Sequence, residues 1–278
     1  MYINCKGRLI DLDRPRIMGI LNITPDSFYD GGKYKTIADL LRQVEKMIRE
    51  GATFLDMGAY SSRPKAAHIT EEDELHRLMP ALESVLREFP EAMISIDTFR
   101  SAVAKKAIEA GACMINDISG GAMDDHMFQT VAELQVPYVI MHMVGTPKTM
   151  QQNTLYKNLT TDVIRYFSEK IFELRKLGVN DILIDPGFGF SKTLDQNYEL
   201  LNNLDLLVSL ELPILAGLSR KSMLYRLLNS SPENALNATT AANMIAMIKG
   251  ARIIRVHDVK EGIEAIRIFE KATMPVST

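Results

Sequence analysis

The chain has 278 residues, a formal net charge of −3, 24% charged residues and two cysteines. A balance this close to neutral gives no basic excess, so nucleic acid is not implied as a partner. No apolar stretch approaches the roughly 20 residues that span a bilayer, and Met1-Tyr2-Ile3-Asn4-Cys5-Lys6-Gly7 does not read as a signal peptide, so a cytoplasmic protein with reduced Cys5 and Cys113 is expected.

In chain order, a short β-hairpin is expected over about residues 2–13, turning near Lys6-Gly7-Arg8 and plugging the bottom of a barrel formed by the later elements. A first apolar strand falls near 16–23. The helix after it, near 37–50, carries Leu40, Leu41, Val44, Met47 and Ile48 at helical spacing and stops before Gly51. The scheme then repeats, with strands near 53–58, 92–97, 113–118, 137–142, 181–185, 213–217 and 252–257, helices between them, and a last helix near 260–272. Gly51, Gly111, Gly178 and Gly250 stand where helices end before strands, a position that favours a left-handed backbone.

Strands buried on both faces read as continuous apolar runs, and eight alternating with helices is the pattern of an α/β protein built as a single (β/α)8 TIM barrel. One domain over residues 1–278 is expected, because such barrels run to about 250 residues. The runs stop at Asn22, Asp56, Asp97, Asn116, His142, Asp185, Arg220 with Lys221, and Arg255 with His257. In this fold the carboxyl ends of the strands form the active face, so these side chains are expected to converge on one mouth.

Three loops are rich in chemistry: Asn22 to Gly32, Gly58 to Lys65, and Met143 to Gln151. Each also reads as a plain Asx or Ser/Thr turn. A carboxylate and an amide facing one another, here Asp97, Asn116 and Asp185, suit a flat heterocycle whose edge carries N–H donors. The alternative is that Asp97 and Asp185 pair with Lys221 or Arg255 inside the barrel. Arg255 and His257, two residues apart on one strand face, with Asn22 and Ser62-Arg63, suit a phosphate or pyrophosphate. Asn22 is also a candidate metal ligand, though only for an ion shared with substrate phosphates. Ser222, after Lys221 at a helix start, is either an N-cap or part of a carboxylate site.

Seven segments together closely resemble the dihydropteroate synthase family of folate biosynthesis. They are Ile20 to Phe28, Ser95 to Thr98, Ile115 to Gly121, His142 to Pro147, Asp185 to Phe190, Ser219 to Ser222 and Arg255 to Val259. The resemblance implies a transferase that joins 6-hydroxymethyl-7,8-dihydropterin pyrophosphate to 4-aminobenzoate, with Mg²⁺ as cofactor, and a homodimer whose interface lies on the last two helices. It also implies residue roles. Asp97, Asn116, Asp185, Lys221 and Arg255 would hold the pterin. Asn22, Ser62, Arg63, Arg255 and His257 would hold pyrophosphate, with Asn22 on the metal. Ser62, Arg63, Pro64, Phe190, Lys221 and Ser222 would hold 4-aminobenzoate. Phe28 and Asp30 would join Lys221 and Arg255 in catalysis, shielding a positively charged intermediate formed as pyrophosphate departs.

The chain departs from the family's Gly-Glu-Ser-Thr-Arg-Pro-Gly loop, reading Ala59-Tyr60-Ser61-Ser62-Arg63-Pro64-Lys65, and Ser191 stands where the family has glycine. Both changes bear on the aminobenzoate pocket and on sulfonamide response. A pterin-binding methyltransferase barrel would share the Asp and Asn residues, but it has no use for Lys221-Ser222 or a pyrophosphate grip.

Overall fold

The computed structural model describes residues 1–23, 36–60 and 69–273. Two antiparallel strands, β1 (Tyr2–Cys5) and β2 (Arg8–Asp11), form the expected hairpin. Eight parallel strands come next: β3 (Arg16–Asn22), β4 (Phe54–Gly58), β5 (Ile94–Asp97), β6 (Met114–Asp117), β7 (Tyr138–Met141), β8 (Ile182–Asp185), β9 (Ile214–Ala216) and β10 (Ala251–Val256). They close into a barrel in which β10 pairs with β3, and each strand otherwise pairs with its neighbours in sequence. The predicted strands are all present, each within two residues of its expected ends.

Helices α1 (Ile37–Glu50), α2 (Glu71–Glu88), α3 (Ser101–Glu109), α4 (Met127–Leu134), α5 (Leu159–Lys176) and α6 (Leu194–Asn202) each follow one strand. Two helices, α7 (Ser222–Leu227) and α8 (Leu236–Ile248), follow β9, and α9 (Val259–Thr273) ends the described chain. Local chemistry sets several starts: the Thr36 hydroxyl accepts from the Asp39 amide, and Thr70 with Asp73 and Thr193 with Gln196 form capping boxes. Gly51, Gly111, Gly178 and Gly250 all have positive φ, as expected of helix stops.

Side-chain parity along the strands divides the molecule into two cores. Ile17, Leu21, Leu55, Met57, Ile94, Ile96, Ile115, Ile140, Ile184 and Ile254 face outward and pack under the helices. Met18, Phe54, Met114, Val139, Leu183, Leu215 and Ile253 face inward, where Ile3, Cys5 and Leu12 of the hairpin segment join them. The hairpin thus plugs the barrel floor, as the sequence suggested. Two residues further along the same inward faces come Asp56, Asn116, Asp185, Gly217 and Arg255, so one polar layer lies directly above one apolar layer. Asp97 belongs to that layer as well, because its outward neighbours on β5 are Ile94 and Ile96.

Candidate active site

Four side chains from four strands lock together across the mouth. Arg255 on β10 gives its Nε to Asp56 Oδ2 at 2.6 Å and an Nη2 to Asp97 Oδ2 at 2.9 Å. Asn116 on β6 gives its Nδ2 to the same Asp56 oxygen at 2.9 Å. Asp97 and Asn116 stand at the same register on adjacent strands. Burial pushes the Asp97 carboxyl up to about 7; Arg255 opposes the rise, and Asp56 adds to it. The alternative read from sequence, an Asp97 paired to Arg255, is therefore what the structure shows.

Asp185, at the end of β8, is 5% exposed and accepts the Gly187 amide on Oδ1 at 2.8 Å. Its other oxygen borders a gap: a Cβ placed on Gly217 would lie 3.7 Å from Asp185 Oδ2 and 3.8 Å from Lys221 Nζ. Lys221 donates to the Phe188 carbonyl, and its ammonium sits 4.6 Å above the Phe190 ring centre. Burial brings Lys221 down to about 8, against the pull of Asp185. Burial likewise raises Asp185, opposed first by Lys221. Phe190 packs against a small apolar wall of Phe99, Ile118, Met141, Met143 and Met150.

The loop carrying Phe190 is built from within. Lys192 is 4% exposed, and its Nζ donates to the carbonyls of Gly187 at 3.0 Å and Phe190 at 3.1 Å while meeting His142 Nδ1 at 3.0 Å. Only glycine fits at 187, since φ is +70° and a Cβ would stand 2.1 Å from the His142 carbonyl oxygen. Ser191 holds a left-handed φ of 44°, a conformation that glycine adopts more easily. Its hydroxyl accepts the Val144 amide at 3.0 Å, which ties the loop after β7 to the loop after β8. In that loop after β7, Thr146 and Thr149 bond to each other, so its hydroxyls make a turn.

Two side chains expected at the mouth are elsewhere. His142, one residue past the inward-facing Met141, has the outward parity and packs against Tyr156, Tyr166 and Phe167. Arg220 turns back through a φ of 55° and forks onto Asp258 at 2.9 and 2.8 Å, clamping the β9 and β10 ends together. His257 Nδ1 meets Ser219 Oγ at 2.9 Å, while Arg255 beside it faces the carboxylates. Ser222 is the first residue of α7 and Lys221 is its N-cap, so the N-cap reading of Ser222 does not hold. Asn22, the last residue of β3, is exposed at the rim.

Phe28, Asp30, Ser62, Arg63 and Pro64 lie outside the described residues. The flanks of the second loop are described: Tyr60 stands edge-on to Phe99 at 5.0 Å, and Arg100 donates to the Ile69 carbonyl at 2.6 Å while pairing with buried Glu74. Sequence reasoning placed Asp56 at the mouth without giving it a role, and gave no signal for Lys192. Among the described residues no three His, Cys, Asp or Glu side chains gather as a metal cage, and no helix is long and apolar enough to cross a membrane.

A family model described as "Pterin binding enzyme" matches residues 18–257. The dihydropteroate synthase of Escherichia coli K12 is 43% identical over 272 residues, which cover 97% of this chain and 96% of that one. Yersinia pestis dihydropteroate synthase, solved with a sulfonamide drug complex, superposes with a TM-score of 0.93 at 42% identity, covering 99% of this chain and 100% of the other. The Xanthomonas albilineans enzyme, solved with 4-aminobenzoic acid, superposes with a TM-score of 0.90 at 38% identity over 99% of this chain and 98% of its own.

Proposed function

Since the chain belongs to the dihydropteroate synthase family of pterin-binding enzymes, we infer that it condenses 6-hydroxymethyl-7,8-dihydropterin pyrophosphate with 4-aminobenzoate to give 7,8-dihydropteroate and pyrophosphate. The observation that carries this reading is the polar layer itself: Asp97, Asn116 and Asp185 present acceptors from three strands directly above an apolar floor. An edge bearing amino and N–H donors satisfies such a row, and Lys221 meets the ring acceptors beside it.

Arg255 and His257, with Asn22, Ser62 and Arg63, take the pyrophosphate. Phe190, Lys221 and Ser222, with Ser62, Arg63 and Pro64, take 4-aminobenzoate, whose carboxylate rests by the start of α7. The C–O bond to pyrophosphate breaks with its electron pair on the leaving group, and the aryl amine then attacks the exposed carbon and loses its proton. Asp56, Asp97 and Asp185 line the mouth, and in their ionised forms they favour the positive charge left on the pterin. Phe28 and Asp30 are assigned to shielding that charge.

For Mg²⁺ the residue that would hold the ion is Asn22, exposed at the rim with a hard amide oxygen in its side chain, and substrate phosphates with water would have to supply the remaining ligands. The ion's contribution is to neutralise charge on the departing pyrophosphate. A homodimer belongs to the same proposal, supported by the exposed Ile245, Ile248 and Ile268 on α8 and α9. So does a cytoplasmic location with both cysteines free.

The test is to mix the purified chain with the pterin pyrophosphate, 4-aminobenzoate and Mg²⁺ and to follow both products. Equal amounts of dihydropteroate and pyrophosphate are expected. Pyrophosphate released without dihydropteroate, or no turnover by folded protein, contradicts the reading.

A further inference from the structure

The polar layer contains one residue to which the proposed reaction gives no contact with substrate. Asp56 is fully buried, yet only one of its oxygens is paired: Oδ2 serves both Asn116 and Arg255, and Oδ1 meets no donor among the described residues. A carboxylate left half satisfied inside a fold costs stability, so packing does not account for it. Its effect on its neighbours is directional. An ionised carboxylate only accepts, so the Asn116 amide facing it must present its NH₂ group and turn its carbonyl oxygen away. Arg255 is likewise held by Nε, which leaves its outer nitrogens to reach Asp97 across the mouth.

Resting on the pterin reading, we propose that Asp56 is a positioning residue that selects for a donor-rich heterocycle edge, by locking Asn116 as an acceptor and fixing the Arg255 guanidinium. With Asn116 so oriented, the three strand-end side chains offer a uniform row of acceptors. Arg255 Nε only donates, so an amide at position 56 would still turn its oxygen to the pair, whereas alanine removes the acceptor and Asn116 loses its preferred sense. Ser95 supplies a control: it is level with Asp56 on the adjacent strand and is also buried with an unpaired side-chain oxygen, but it holds no neighbour in place.

The experiment titrates the full chain with 6-hydroxymethylpterin and measures KM for both substrates, in wild type, Asp56→Ala and Ser95→Ala. Asp56→Ala is expected to weaken pterin binding by about tenfold or more, to leave the KM for 4-aminobenzoate within about twofold, and to lower the Tm, because Arg255 loses a buried ion-pair partner. Ser95→Ala is expected to match wild type. In a cycle with Asn116→Ala, the Asp56→Ala effect on pterin binding shrinks to about threefold or less, because the residue acts through its partner. Asp56→Leu, which also lacks an acceptor but fills more of the space, provides the same readings should the alanine variant fail to fold. Wild-type pterin affinity in either folded variant overturns the proposal, as does a loss that tracks a lowered Tm and strikes both substrates equally. A wild-type chain that binds no pterin refutes the underlying reading instead, and is told apart by the first titration alone.

Discussion

Arg255 Nη2 lies 2.9 Å from Asp97 Oδ2, so a cation already holds the carboxylate that a pterin edge is expected to take. A pterin edge can join Arg255 at Asp97 rather than displace it, because the ionised carboxylate accepts from both. Because burial raises Asp97 to about 7, with Arg255 opposing, a proton competes with the ligand near neutrality. Affinity for 6-hydroxymethylpterin should fall as pH drops from about 8 to about 6, by up to about tenfold per unit below the pKa. Asp97→Asn should bind weakly at every pH in that range. A wild-type titration that is flat over the same interval would remove Asp97 from the pterin edge.

Lys192 and His142 predict how the wall of the site responds to acid. His142 is held near 2, chiefly by burial and then by Lys192, against an ordinary 6.5. Between those values the folded chain binds fewer protons than the unfolded chain, so stability falls as pH drops below about 6.5. Lys192, lowered by burial from 10.5 to about 7, makes stability rise with pH across that higher window. Lys192→Met takes the ammonium donor from the Phe190 carbonyl and leaves the Gly187 carbonyl only the Phe190 amide, and should cost about 1–3 kcal/mol near neutrality, while flattening the alkaline rise. Thermal melts across pH check both slopes, and a variant as stable as wild type would show the amine to be dispensable.

Gly217 keeps open the space between Asp185 and Lys221. A methyl there meets only ordinary contacts, at 3.7 and 3.8 Å, so Gly217→Ala should fold with stability within about 1 kcal/mol of wild type. It should nonetheless weaken pterin binding by about tenfold, since the methyl stands where the ring edge must approach both groups. Calorimetric titration beside a melt separates the two effects; unchanged affinity would place the pterin elsewhere.

Ile248 on α8 and Ile268 on α9 are each 63% exposed, and the proposed dimer would cover them. Sedimentation at micromolar protein should give a dimer, and Ile248→Glu should give a folded monomer. A wild-type monomer under those conditions would exclude this face as a dimer interface.

The barrel was legible because both faces of its strands are buried, so each strand announces itself as an apolar run. The site was legible where a polar residue followed an inward-facing core residue by two, as Asn116 follows Met114 and Asp185 follows Leu183. His142 was misplaced by a single residue of parity, which in a strand reverses the face. Arg220 was misplaced by a left-handed turn that no neighbouring glycine announces. Asp56 was placed at the mouth but its role was not legible, because its partners lie 60 and 199 residues away in sequence and such pairing has no local signature. Lys192 gave no signal at all: its partners are backbone carbonyls brought close only by the folded loop.

The measurement closest to the central claim is the steady-state comparison of wild type with Asp185→Asn, using dihydropterin pyrophosphate, 4-aminobenzoate and Mg²⁺. The substitution exchanges an acceptor for a donor at the pterin edge without changing side-chain volume. A folded Asp185→Asn chain should lose about 2–4 kcal/mol of transition-state stabilisation in kcat/KM for the pterin substrate, roughly 30-fold to 1,000-fold. If folded Asp185→Asn turns over at the wild-type rate with wild-type pterin KM, the barrel mouth around Asp185 is not where the pterin binds.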